Sequence, residues 1–169
     1  MSIKILTDSG SDYEKHEIDE KNIDVIPIPI TFKGRDYLSG VNLSKDEFFA
    51  LLEEGDDFPK TAQPSPQVFI DYFEEAKKNG DEVIAIMLSG SLSGMLQTMH
   101  LCKETVGYDK IHIIDSIAAT VGIRLLVDNA VKLRDEGKSA DEIVSETESL
   151  KKRVRLYATF PTLKYLVKG

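Results

Sequence analysis

The sequence predicts an α/β domain of three layers, a mainly parallel sheet with helices on both faces. Three observations predict it. Apolar runs alternate with stretches of helical period from one end of the chain to the other, the pattern of strands joined by crossover helices. Three of the runs, Ile23 to Ile30, Val83 to Leu88 and Ile111 to Ile114, are nearly continuous, as strands covered on both faces require. The chain has 169 residues, 41% hydrophobic and 30% charged, enough for one core that buries about 70% of the unfolded chain's surface without disulfides or a structural metal.

Taken in order, Ile3 to Thr7 is the first strand. Ile23 to Ile30 is the second, interrupted by Asp24, Pro27 and Pro29; proline donates no ladder hydrogen bond, so this strand lies at an edge or ends early. Gly34, between Phe32 and Tyr37, marks a small hairpin or turn. Ser44 with Glu47 reads as a capping box that opens a helix, the hydroxyl accepting from the first turn while the carboxylate reaches back. Ser65 followed by Pro66 is an N-cap with proline at the first helical position. Val68, Phe69, Tyr72, Phe73 and Ala76 then form one apolar face, and Gly80 ends the helix.

Glu82 to Leu88 is the next strand, and the helix after Gly94 carries His100 and Cys102. Ile111 to Asp115 is another strand. Gly137 stands where a helix should end, and Ser139 with Glu142 is a second capping box, before a face of Ala140, Ile143, Val144, Thr147 and Leu150. Arg155 to Thr159 is the last strand expected, and Pro161 opens a short helical pattern with Leu163, Leu166 and Val167. With no internal repeat, low-complexity tract or linker, no internal boundary is expected.

Composition removes several function classes. Lys and Arg number 21 against 29 Asp and Glu, a net charge of −8 with no basic run, so nucleic acid, which needs clustered cations to neutralise phosphates, is not an expected partner. Cys102 is the only cysteine. That rules out an intrachain disulfide, a multi-thiolate zinc site and a redox Cys-x-x-Cys pair, and points to a reducing, cytoplasmic setting. The N-terminus turns polar before a signal peptide's apolar region develops. The longest apolar run, Val83 to Leu88, falls far short of the roughly 20 residues of a transmembrane helix, so no transmembrane segment is expected.

Ligands of an open parallel sheet sit beyond the carboxyl ends of its strands, and three such ends carry small polar clusters. They are Thr7-Asp8-Ser9-Gly10-Ser11, Ser89-Gly90-Ser91-Leu92-Ser93-Gly94 and Asp115-Ser116. A fourth hydroxyl cluster, Thr61-Ala62-Gln63-Pro64-Ser65-Pro66, precedes a helix. Hydroxyls and glycine at a helix N-terminus combine side-chain donors, free N–H groups and the positive dipole end, a set suited to an anion, although the same residues also serve as turn formers and caps.

Sharper motifs fail. The residue midway between Gly90 and Gly94 is Leu92, not the serine of a nucleophile elbow. The phosphate-binding P-loop and the dinucleotide G-x-G-x-x-G are absent. Gly10 stands where an aspartyl nucleophile of the D-x-D type, at Asp8, needs its second Asp. His16 and His100 fall on predicted helices and His112 on a strand, outside the polar loops, so structural or surface roles are expected for them. No spaced ligand set for a metal is present. Cys102, on a helix, reads as a packed thiol.

Thr7-Asp8-Ser9, Pro27, Thr61-Ala62-Gln63-Pro64-Ser65, Leu92-Ser93-Gly94 with Gln97, Asp115-Ser116 and Leu163-x-x-Leu166-x-x-Gly169 follow one another in an order that resembles the N-terminal domain of the DegV family of bacterial fatty-acid-binding proteins. The resemblance spans essentially all 169 residues. It implies a noncatalytic carrier without a cofactor that holds one long-chain fatty acid in a crevice between two domains. In some members it also implies presentation of the carboxylate to a separate fatty acid kinase subunit. By position, Thr61 and Ser93 would donate to the carboxylate with help from the backbone near Gly94; Ala62, Gln63, Asp8, Ser9, Asp115 and Ser116 complete the expected ligand-binding set. The family's usual serine after the threonine is Ala62 here, Met95 replaces a small residue, and Arg124 stands where a second glycine is common.

Charge-assisted hydrogen bonds from two hydroxyls and a helix N-terminus can orient a carboxylate without an adjacent lysine. At about 0.8 kcal/mol per buried CH₂, roughly fifteen methylenes would supply on the order of 12 kcal/mol before association costs, so affinity is expected from the tail. Because the family continues past Gly169 with a second domain, the resemblance implies that 1–169 is the N-terminal α/β domain alone and about half of the binding site. The competing expectation is an enzyme, an acyl or phosphoryl transferase using Ser93 or Asp8, which the failed motifs and the lack of a poised histidine base disfavour.

Overall fold

A computed structural model describes residues 2–55, 57–159 and 163. The elements run β1 (Ile3–Asp8), a 3-10 turn (Ser9–Ser11), α1 (Lys15–Lys21), β2 (Ile23–Ile26), β3 (Pro29–Phe32), β4 (Arg35–Leu38) and α2 (Lys45–Glu53). They continue with β5 (Lys60–Thr61), α3 (Pro66–Asn79), β6 (Glu82–Met87), α4 (Met95–Val106), β7 (Ile111–Asp115), α5 (Val121–Asp135) and α6 (Ala140–Lys151). Four strands form a parallel sheet in the order β2-β1-β6-β7.

Strand alternation sends successive side chains to opposite faces, and each face meets helices. Leu6, Val83, Ala85 and Met87 pack with Phe69 and Phe73 of α3 and Met95, Met99 and Cys102 of α4. Ile5, Ile84, Ile86 and Ile114 pack on the other side with Ile123, Leu126 and Val127 of α5 and Ile143 of α6. The result is the three-layer α/β fold that the sequence predicts. Both capping boxes form: Glu47 accepts from the Ser44 N–H at 2.8 Å and Glu142 from the Ser139 N–H at 2.9 Å. The thiol of Cys102 is buried, and burial pushes its pKa up.

The expected strand from Ile23 to Ile30 is two strands. β2 stops at Ile26 on the edge of the parallel sheet, and from Pro29 the chain enters a second, antiparallel sheet in the order β4-β3-β5. Proline 27 supplies no N–H for a ladder, so the break falls there. The hairpin at Gly34 is present: Lys33 and Gly34 both have positive φ, 50° and 71°, between the paired residues Phe32 and Arg35, as a two-residue type I′ turn requires. Arg155 to Thr159 form no strand. These residues are exposed, and Arg155 folds back to donate to the carbonyls of Lys152 and Val154; without a ladder partner or a covered face the local pattern is not enough. The helical pattern from Pro161 lies outside the described residues except for Leu163, which is exposed.

Arg124 joins α5 to α1. Its guanidinium pairs with Glu17, donates to the carbonyl of Asp12 at 3.1 Å and lies 4.4 Å from the centre of the Tyr13 ring. That pairing, with the Glu14 N–H, holds the Glu17 carboxyl at about 2, well below its usual range.

Candidate functional site

The carboxyl ends of β1, β6 and β7 are stitched together by their own polar residues. Asp8 is fully buried; one oxygen accepts from the Gly10 N–H at 2.8 Å and the other from the Leu88 N–H at 2.6 Å. Burial raises its pKa above the ordinary carboxylate value, against the opposing pull of those two N–H groups. The Ser9 hydroxyl oxygen accepts from the Ile28 N–H at 2.9 Å, and Ser11 donates to the Asp8 carbonyl at 2.6 Å. Asp115 accepts from the N–H groups of Gly90 at 3.3 Å and Ile117 at 2.8 Å, so it ties the loop after β6 to the loop after β7. Ser116 is buried and closes a turn with both backbone groups of Ala118.

That last loop is strained. Ile117 and Thr120 have φ of 52° and 48°, a region that β-branched residues avoid. The Asp115 carboxylate holds the first, and the Thr120 N–H donates to the Gly10 carbonyl at 2.9 Å. Around this end of the sheet Leu92, Ile117, Val121 and Leu125 are 51% to 69% exposed.

The two hydroxyl clusters meet at the N-terminus of α4. The Ser89 carbonyl accepts from the N–H groups of Leu92 and Ser93, which folds the Ser89-to-Gly94 loop back before the helix starts. The Ser93 hydroxyl oxygen accepts from the Met95 N–H at 3.2 Å, which leaves its O–H hydrogen to donate outward. Gly94 is the N-cap of α4 and offers no side chain. Thr61 stands exposed on β5, paired with Ile30, and the Ala62 N–H donates to the Pro29 carbonyl at 3.0 Å. Pro64 is buried, and Gln63 accepts from the Thr98 hydroxyl at 3.0 Å on the first turns of α4. Gln63 is thereby brought to Thr98 and Gly94, whereas Asp8, Ser9 and Ser116 spend their polar atoms on the loops themselves.

Beside Ser93 and Gly94 opens a cleft of about 490 Å³, also lined by Gln97, His100, Asp115 and Lys151. Sequence reasoning left His100 outside the polar loops. Gln97 and His100 are three residues apart, the spacing that puts two side chains on one helix face, so the shared face was legible. Lys151, ion-paired with Glu148 at 2.7 Å, comes from α6 and gave no sequence signal. His100 lines the same cleft as Ser93, and among the described residues no hydrogen bond joins the two. Among the described residues no cluster of three or more His, Cys, Asp or Glu side chains could hold a metal ion, and no helix is long and apolar enough to cross a membrane.

A family model for uncharacterised proteins of the DegV family matches residues 2–169. A DegV domain-containing protein of Caldanaerobacter subterraneus subsp. tengcongensis is 39% identical over 167 residues, 99% of this chain and 59% of that protein. One from Staphylococcus aureus is 35% identical over 165 residues, 98% of this chain and 58% of its own. The chain thus spans less than two thirds of the length of these relatives. Among solved structures, a fatty-acid-binding DegV family protein from Thermus thermophilus superposes with a TM-score of 0.81 at 31% identity, over 90% of this chain and 54% of that one. A stearic-acid-binding protein from Eubacterium ventriosum does so with a TM-score of 0.79 at 28% identity, over 88% and 52%. The fatty acid binding protein DegV from Bacillus subtilis gives 0.81 at 27% identity, over 90% and 54%.

Proposed function

The chain belongs to the DegV family, and from that premise we propose that it is a noncatalytic carrier of a long-chain fatty acid, with the carboxylate at the N-terminus of α4. The observation that carries the reading is the approach of Gln63, two residues after Thr61, to Thr98 and Gly94, the residue after Ser93. Two hydroxyls at the positive end of a helix dipole are donors, and an anion is what such a set holds. The exposed side chains of Leu92, Ile117, Val121 and Leu125 at the same end of the sheet offer the tail an apolar wall. The remaining length of the relatives would supply the facing wall, so the chain contributes one side of a shared crevice.

Presentation to a separate fatty acid kinase subunit, in the cytoplasm, extends this reading. It requires a head group near the surface; Thr61 is exposed and Ser93 half-buried. A transferase built on Asp8 is disfavoured because both oxygens of that buried carboxylate already accept backbone N–H groups. One built on Ser93 is disfavoured because, among the described residues, its hydroxyl makes no hydrogen bond to a side chain that could serve as the base, which nucleophilic activation of a hydroxyl needs.

The test is native mass spectrometry of the full-length protein and of its Thr61→Ala and Ser93→Ala variants. A stoichiometric fatty acid in the parent, with affinity reduced about 10-fold or more in each variant by loss of a hydrogen bond to a charged group and circular dichroism unchanged, is the expected result. Equal retention in all three proteins would overturn the site.

A further inference from the structure

Gly94 has φ of −74° and ψ of 3°, a conformation open to any residue, so the backbone does not ask for glycine there. A β-carbon on residue 94 would collide with Nε2 of Gln63, so an alanine there would push that amide aside. The other end of the same amide, Oε1, accepts from the Thr98 hydroxyl at 3.0 Å. On its far flank Gln63 follows Ala62, whose N–H donates to the Pro29 carbonyl, and Thr61, which pairs with Ile30 in the antiparallel sheet. The Gln63 side chain is thus a bridge from that small sheet to the first turns of α4, seated in a socket that exists because residue 94 has no side chain.

We propose that Gln63 is a positioning residue of the head-group site, and that Gly94 is its socket. The proposal rests on Thr61 and Ser93 being the carboxylate donors. Those two hydroxyls sit on different substructures, one on β5 and one before α4, and two donors serve one carboxylate only if their separation is fixed. The Gln63 bridge fixes it, so Gln63 acts through Thr61 and need not touch the ligand.

Stearate binding in the full-length protein, compared among Gln63→Ala, Gly94→Ala, the double variant and Thr61→Ala, tests the proposal together with amide hydrogen exchange at Ala62 in the ligand-free protein. Gln63→Ala and Gly94→Ala should each weaken binding roughly five-fold, the loss expected for one hydrogen bond. The double variant should be no weaker than either, because an alanine at 94 has nothing left to displace. Exchange at Ala62 should quicken in all three, before any ligand is added. Losses that multiply in the double variant would mean that Gly94 faces the ligand directly, and unchanged exchange would mean that the bridge holds nothing; either overturns the proposal. If Thr61→Ala leaves stearate binding intact while the exchange effects persist, the donor reading fails, and the binding role of Gln63 with it, although the bridge itself stands.

Discussion

Two carboxylates shifted in opposite directions define how single residues respond to acid. Asp8 is held above its ordinary pKa by burial, so its ionised form opposes folding and acid relieves that cost. Glu17 is held at about 2 by Arg124, against 4.5 for an unperturbed side chain. Its contribution is fully present above pH 4.5 and is lost as the pH falls toward 2. Glu17→Gln should therefore flatten the decline of stability across that window while Asp8 stays as it is, a comparison that urea midpoints measured from pH 5 down to pH 2 would make. Parallel pH profiles for the two proteins would show that the pair contributes nothing to acid sensitivity. Neither role was legible beforehand. Asp8 read as a ligand candidate because it stands at the carboxyl end of a strand, where ligands of a parallel sheet sit, and only the fold reveals the Leu88 N–H that claims it. Glu17 and Arg124 are 107 positions apart, and nothing local announces a pair formed by packing α1 against α5.

Elements were legible where the signal is local and illegible where a partner decides. Both capping boxes and the glycine-ended hairpin are written in a few consecutive residues, and all three form. The strand expected at Arg155 has suitable residues but no neighbour, and β5 is two residues long, too short for any periodic signal although it carries Thr61. The apolar face of α3 was read directly, and it anchors the segment that leads into it: Phe69 and Phe73 are fully buried against α4 and the sheet, just after Pro64 and Gln63. Truncating Phe73 to alanine should cost about 3–5 kcal/mol, the range for a large side chain removed from a close-packed core, read as a shift in the urea unfolding midpoint with the slope unchanged. A loss below about 1 kcal/mol would mean that the α3–α4 layer adjusts to the cavity and cannot hold the site rigid.

At the scale of the whole molecule, the parallel sheet gathers the loops after β1, β6 and β7 at one end, which the strand pattern made legible, whereas the Thr61 segment comes from the antiparallel sheet, whose pairing no local pattern announced. How the tail of the proposed fatty acid is covered has no local signal in the sequence. Fatty acid that binds the folded state alone stabilises it by an amount set by its concentration relative to Kd, about 2.7 kcal/mol at a hundredfold excess. Stearate should therefore raise the unfolding midpoint of a full-length DegV relative by that measure. For the 169-residue chain the shift should be smaller at the same concentration, because Leu92, Ile117, Val121 and Leu125 face outward and each methylene left in water forfeits about 0.8 kcal/mol. Methyl stearate, which keeps the tail and lacks the carboxylate, should stabilise both less than stearate does, since Thr61 and Ser93 then meet a neutral ester. Equal shifts in the two lengths of chain would place the whole tail site within these residues, and no shift in either would remove the fatty acid reading altogether.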